Sequence, residues 1–255
     1  MPKPKSVPPG ITREKLSAET IHDYQAFSKD RLGFTFKEPR YIITALTHRS
    51  YVNEHKSSGS EHNERLEFLG DAVLELVVTD YLYQNFTEPE GILTNYRSAL
   101  VKTESIYNAG ERLNYAHLLR VSRGERRTTP KPVMIADAFE AMIGAIYLDQ
   151  GLGVAIKFIE KNIITDMLEV LRTGSWREPK SRLQELAQAT DQSLPQYKLV
   201  KTEGPDHART YYVSVSVGGR RLGRGQGSSK QVAEQKAAEE AVHHFLADNK
   251  RKWYK

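Results

Sequence analysis

The chain has 255 residues, with 37 Lys and Arg against 32 Asp and Glu for a formal net charge of +5, and no cysteine. Without Cys there is no disulfide framework, thiolate zinc site, iron–sulfur cluster or cysteine nucleophile, and this composition fits a reducing, cytoplasmic setting. The longest unbroken apolar run, Ala141 to Leu148, falls far below the ~18–20 residues of a membrane span, and Met1 to Gly10 is Pro-rich with no apolar leader core, so a soluble, unexported protein without membrane contact is expected.

In chain order, residues 1–19 read as a flexible N-terminal segment and 20–171 as one helical domain, since apolar positions recur with a 3.6-residue period and connections are short and carry Gly or Pro. Residues 172–178 mix turn formers and polar residues without a period, as a linker does. Residues 179–248 then read as a small α-β-β-β-α domain. Its first helix covers Ser181 to Thr190, with Leu183, Leu186 and Ala187 on one side, and its first strand covers Gln196 to Thr202. In Tyr211 to Val217, valines 213, 215 and 217 alternate with serines 214 and 216, and Gly218-Gly219 turns the chain into a third strand. An Ala-rich helix from Lys230 to Leu246 closes it, and 249–255 is a basic tail, frayed at its end.

Charge divides along the same line. Residues 1–177 hold 23 basic and 23 acidic side chains, while 178–255 hold 14 and 9. A neutral body with a basic C-terminal module points to a polyanion, of which nucleic acid is the commonest in a cell.

The chemistry lies in the first domain. On a helix through His62 to Leu76, Glu64, Glu67, Asp71 and Glu75 fall within an arc of about 80°, and Leu66, Phe68, Leu69, Ala72, Val73, Leu76 and Val77 cover most of the rest. A helix apolar nearly all round is expected to be buried. Carboxylates packed there cost several kcal/mol each unless a cation compensates. A second apolar stretch, Val133 to Leu148, has only Asp137 and Glu140 as charges, three apart on one face, with nothing basic to pair them. Two such helices would form an all-oxygen site suited to hard cations such as Mg²⁺. Gly70 and Gly144 would let them approach closely. A di-iron carboxylate bundle fails on its ligands, because Gly70 and Ile143 stand where Glu-x-x-His needs histidine. Hard cations beside a nucleic-acid module point to phosphodiester hydrolysis.

The segment His62 to Leu76, containing Asn63-Glu-Arg-Leu-Glu-Phe-Leu-Gly-Asp71, resembles the signature of the bacterial ribonuclease III family. So do Ala45-Leu-Thr-His-Arg-Ser-Tyr51, Glu90-Gly-Ile-Leu-Thr-Asn-Tyr-Arg97 and Ala136-Asp-Ala-Phe-Glu-Ala-Met-Ile-Gly-Ala145, in the family's order. The C-terminal part is similar to a double-stranded-RNA-binding domain through Pro179-Lys-Ser-Arg-Leu-Gln-Glu-Leu186 and Gly223-Arg-Gly-Gln-Gly-Ser-Ser-Lys230. The resemblance covers about residues 20–247. It implies an all-α endonuclease domain, a homodimer, and Mg²⁺-dependent cleavage of double-stranded RNA to 5′-phosphate and 3′-hydroxyl ends, with Mn²⁺ able to substitute and no small-molecule cofactor.

Residue by residue, the resemblance implies metal ligation by Glu67, Asp71, Asp137 and Glu140, catalysis by Asp71 and Glu140, and support from Glu64 and Glu90. For the RNA-binding domain it implies minor-groove contacts from Gln184, Glu185 and the loop with Pro205 and His207, and phosphate contacts from Ser229 and Lys230. Gln231 stands where the family often has a second Lys. Ribosomal RNA precursors and structured messenger RNAs are the implied substrates. The alternative is a non-catalytic RNA-binding or scaffold protein on the same fold, against which the four site acids argue. His48 and His62 read as structural, Gly223 to Gly227 lacks the Lys-Ser/Thr of a P-loop, and the basic loop Arg123 to Lys131 reads equally as an RNA contact or a solvated loop.

Overall fold

The computed structural model describes residues 8–174, 176–190, 193–205 and 208–253, with side chains described as far as Phe245. The chain divides into two compact units, Met1–Arg172 and Thr173–Lys255.

The first unit is all-helical: α1 (Ala18–Phe27), continued by a π-helical turn, α2 (Arg40–Ala45), α3 (Arg49–Glu54), α4 (Glu64–Asn85), α5 (Glu90–Val101), α6 (Thr103–Leu113), α7 (Arg123–Arg126), α8 (Pro132–Gln150), α9 (Leu152–Asn162) and α10 (Met167–Thr173). Helix α8 is its centre. Pro132 at its first turn suits a position whose N–H has no helical acceptor, and Gly151, at φ +91°, ends it. From Met134 to Ile146 only Asp137 and Glu140 escape full burial, because α4, α2, α6 and α9 surround it. The tightest of these contacts is with α4. A Cβ on Gly70 would stand 1.8 Å from the carbonyl oxygen of Glu140, and one on Gly144 would stand 2.3 Å from that of Leu66. Two glycines therefore bring two backbones into direct contact, the close approach expected from them.

Helix α4 departs from the expectation of full burial. Leu66, Gly70, Val73, Leu74, Val77, Val78 and Leu82 are buried, but Phe68, Leu76 and Tyr83 are 81%, 59% and 80% exposed. The unit wraps one side of this helix only. The N-terminal stretch differs as well: Ile11 and Thr12 are buried, Thr12 N–H donates to Thr44 Oγ1 at 3.0 Å and Arg13 N–H to the Gly59 carbonyl at 3.0 Å. Residues 11–14, grouped above with a flexible segment, are thus part of the helical unit.

In the second unit α11 (Pro179–Gln188) precedes an antiparallel sheet of β1 (Gln196–Glu203), β2 (Thr210–Val217) and β3 (Arg220–Gly227), in that order, and α12 (Lys230–Trp253) follows. Gly218 and Gly219, at φ +59° and +77°, make the turn between β2 and β3. Val213, Val215 and Val217 meet Leu183 and Ala187 of α11 and Ala233, Ala237 and Ala241 of α12 in one core. Gly223 and Gly225 lie in β3, where a Cβ would come within 2.2 and 2.1 Å of α12 carbonyl oxygens. The glycine run is therefore a packing surface for an alanine face. The backbone of α12 runs on to Trp253, so the helix takes in much of the stretch expected to fray. Among the described residues, no helix is long and apolar enough to cross a membrane.

Candidate active site and RNA-binding surfaces

The Gly70–Gly144 crossing places the acids of α4 beside those of α8. Glu67, Asp137 and Glu140 each turn a carboxylate oxygen to within 4.8 Å of the others, all three half-buried. Among the described residues, none of the three has a salt-bridge partner. Their titration reflects that crowding. Burial and then the charges of Asp71, Glu67 and Asp137 raise Glu140 from 4.5 to about 8. Glu67 is raised by burial, then by Asp137, Glu64 and Asp71, and Asp137 by burial and then Glu64. Like charges held together without a cation are the reverse of a structural ion-pair network, and an all-oxygen donor set of this kind suits a hard divalent cation.

Asp71 is placed differently from the other acids. It is exposed, one turn beyond Glu67, and lies outside the three-carboxylate group while remaining the strongest charged neighbour of Glu140. Glu64 is exposed at the start of α4, 3.6 Å from Arg49 and 3.7 Å from His62 Nδ1. Glu90 opens α5, exposed and outside the group. Glu75, on the same acidic stripe, is taken up by Arg97 at 3.1 Å.

A cleft of about 420 Å³ opens beside Glu67 and Asp137, with Arg49 and Lys131 among its walls. These two cations escaped the sequence reading as site residues. Arg49 lies in one of the family-like motifs, but nothing in one dimension ties it to α4. Lys131 belongs to the basic loop, which contains α7 and is partly self-neutralised by the Lys131–Glu125 pair at 3.4 Å. His48 accepts a hydrogen bond at Nδ1 from the Ser50 N–H at 3.2 Å, capping α3. Burial lowers its pKa below the ordinary imidazole value, which keeps that nitrogen free to accept.

In the second unit Gln184 and Glu185 are exposed on α11, with Glu185 3.1 Å from Arg177. Pro205 is exposed in the β1–β2 loop. His207 lies outside the described residues. Ser229 caps α12 by accepting from Val232 N–H at 3.2 Å, and Lys230 is exposed in the first turn, where the positive end of the helix adds to its charge.

Comparison with known proteins gives two family matches, Ribonuclease-III-like over residues 38–167 and Double-stranded RNA binding motif over residues 179–244. Ribonuclease 3 of Enterococcus faecalis is 42% identical over 217 residues, covering 84% of this chain and 94% of that protein. Ribonuclease 3 of Geobacillus kaustophilus is 41% identical over 225 residues, covering 86% and 90%. Among solved structures, a nuclease domain of ribonuclease III from Campylobacter jejuni is 40% identical and covers 53% of this chain and 96% of its own, at a TM-score of 0.48.

Proposed function

The chain belongs to the ribonuclease III family, whose members are metal-dependent endoribonucleases of double-stranded RNA, and on that premise we propose that it cuts duplex RNA at the carboxylate cluster between α4 and α8. The observation that carries this reading is the group Glu67, Asp137 and Glu140, three mutually repelling carboxylates with no salt-bridge partner among the described residues. These residues would hold Mg²⁺, with Mn²⁺ as a substitute. When bound, the ion supplies positive charge that makes water a better nucleophile and offsets charge building on the phosphate.

The protein's own groups do the rest. Asp71, exposed beside Glu140, joins it as the catalytic pair, and Glu64 and Glu90 support them from outside the three-carboxylate group. Arg49 and Lys131 line the cleft that leads to Glu67 and Asp137 and favour a phosphate there. Water attacks phosphorus as its bond to O3′ breaks, so the products end in a 5′-phosphate and a 3′-hydroxyl. Gln184, Glu185, Pro205, Ser229 and Lys230 hold the duplex across a minor groove and its flanking phosphates. The exposed apolar face of α4, with Phe68, Leu76 and Tyr83, is the dimer contact, and a twofold places one site on each strand. Ribosomal RNA precursors and structured messenger RNAs are the substrates this reading implies, and the cytoplasm is where they occur.

The deciding experiment is a gel assay of end-labelled duplex RNA with the parent and Glu140→Gln, with and without Mg²⁺. Cleavage by the parent that needs the metal, lost by about 10²-fold or more in the variant while duplex binding persists, is the expected result. Near-parental cutting by the variant would remove the carboxylate assignment.

A further inference from the structure

The second unit has a charged face that none of the roles above uses. Helices α11 and α12 cover one side of the sheet, where the valines of β2 point. Alternation sends the intervening residues to the other side. There the register sets Gln196, Ser216 and Arg221 in one cross-strand row, Lys198, Ser214 and Arg224 in the next, and Lys201, Tyr212 and Gln226 in a third. Lys201 is spoken for, since it holds Glu203 at 2.5 Å and lies 4.5 Å over the Tyr212 ring. Lys198, Arg221 and Arg224 are exposed, and among the described residues none of their side-chain cations pairs with a carboxylate; Glu240 meets Arg224 only at the backbone, accepting from its N–H at 2.7 Å. Adjacent strands are about 4.8 Å apart, so Lys198 and Arg224 bracket Ser214 at roughly 10 Å.

The composition of this face selects its partner. A protein–protein contact would need a desolvated apolar centre, whereas the middle of these rows is Ser216 between Gln196 and Arg221, Ser214 between Lys198 and Arg224, and Tyr212 beneath the Lys201 ammonium. A flat surface of unpaired guanidinium and ammonium groups with hydroxyls between them matches a phosphodiester backbone. We infer that the outer face of the sheet, through Lys198, Arg221 and Arg224, is a second RNA-phosphate contact that takes a duplex segment other than the one held by α11, the β1–β2 loop and the start of α12.

This inference rests on the double-stranded-RNA reading of the module and adds to it. A single short duplex engages the helix side alone. An RNA with two duplex arms engages both faces, which favours branched, structured substrates over isolated stems.

The test uses the full-length chain in calcium buffer, with two probes: a single duplex of about 16 base pairs, one domain's span, and a three-way junction with arms of that length. The variant Lys198→Ser/Arg221→Ser/Arg224→Ser should bind the single duplex within twofold of the parent. For the junction it should lose about 10-fold in affinity, with a log–log salt slope shallower by about 2 to 3. Lys198→Ser alone, the smallest change, should lessen that slope by about one unit, and an unchanged circular dichroism melt certifies either variant as folded. Lys230→Ser, on the helix side, should weaken both probes. Unchanged junction binding and slope in the folded triple variant would overturn the inference while leaving duplex binding intact. So would a variant altered only in self-association on sedimentation, which would give this face to a second copy. A parent that binds neither probe would instead overturn the underlying reading.

Discussion

At the scale of residues, Glu140 makes the site sensitive to pH. Its folded pKa of about 8 lies above the 4.5 of an unperturbed glutamate, chiefly through burial and then through Asp71. Between those two values the folded chain keeps a proton that the unfolded chain releases, so metal-free stability is greatest at the acidic end and declines as pH rises toward 8. Glu140→Gln removes this dependence. In chelator, its melting temperature should exceed the parent's at pH 8 and approach it near pH 5. A cation competes with the same proton, so Mg²⁺ should raise the parent's melting temperature more at pH 8 than at pH 6. Equal metal shifts at the two pH values would mean that Glu140 is no ligand.

At the scale of elements, both units depend on places where a side chain is missing. Gly70→Ala would drive a methyl group into the Glu140 carbonyl, and because both partners are helix backbone, α4 and α8 must part. A loss of about 2–4 kcal/mol is expected, together with reduced cleavage, since the same crossing sets the spacing of Glu67 and Glu140. Chemical denaturation and a cleavage assay on the one sample check both. Gly225→Ala meets the Ala233 carbonyl in the same way, but its damage should stay in the second unit. Short-duplex binding should fall while cleavage at low salt persists, and loss of low-salt cleavage would contradict that division.

At the scale of the whole molecule, the +5 charge lies in the C-terminal third and the proposed catalytic acids in the balanced remainder. Truncation after Arg177 should therefore weaken RNA binding steeply at physiological salt, with low salt partly restoring cleavage. Unimpaired affinity would locate the binding energy elsewhere. Oligomeric state is tested through the exposed face of α4. Phe68→Glu should yield monomers on sedimentation, and parent mixed with excess Glu140→Gln should give heterodimers that nick one strand of a duplex. A parent that stays monomeric at micromolar concentration with RNA present would take the dimer out of the mechanism.

The helical character of the first domain, the α-β-β-β-α order of the second, the valine face of β2, the Gly218-Gly219 turn and the two acid-bearing helices were legible in the chain, because 3.6- and 2-residue periods, caps and turns are set by neighbours a few positions apart. Family-like motifs added the nuclease and RNA-binding assignments. What tertiary structure alone decided is of another kind. It turned Phe68, Leu76 and Tyr83 outward on a helix that reads as buried all round, since periodicity counts apolar residues without knowing how many neighbours exist to cover them. It gathered Glu67, Asp137 and Glu140 while leaving Asp71 at the edge and assigning Glu75 to Arg97. Arg49 was brought to Glu64 in the same way. Those outcomes depend on where one helix crosses another, and the crossing of α4 over α8 was settled by the contact of glycines 74 residues apart.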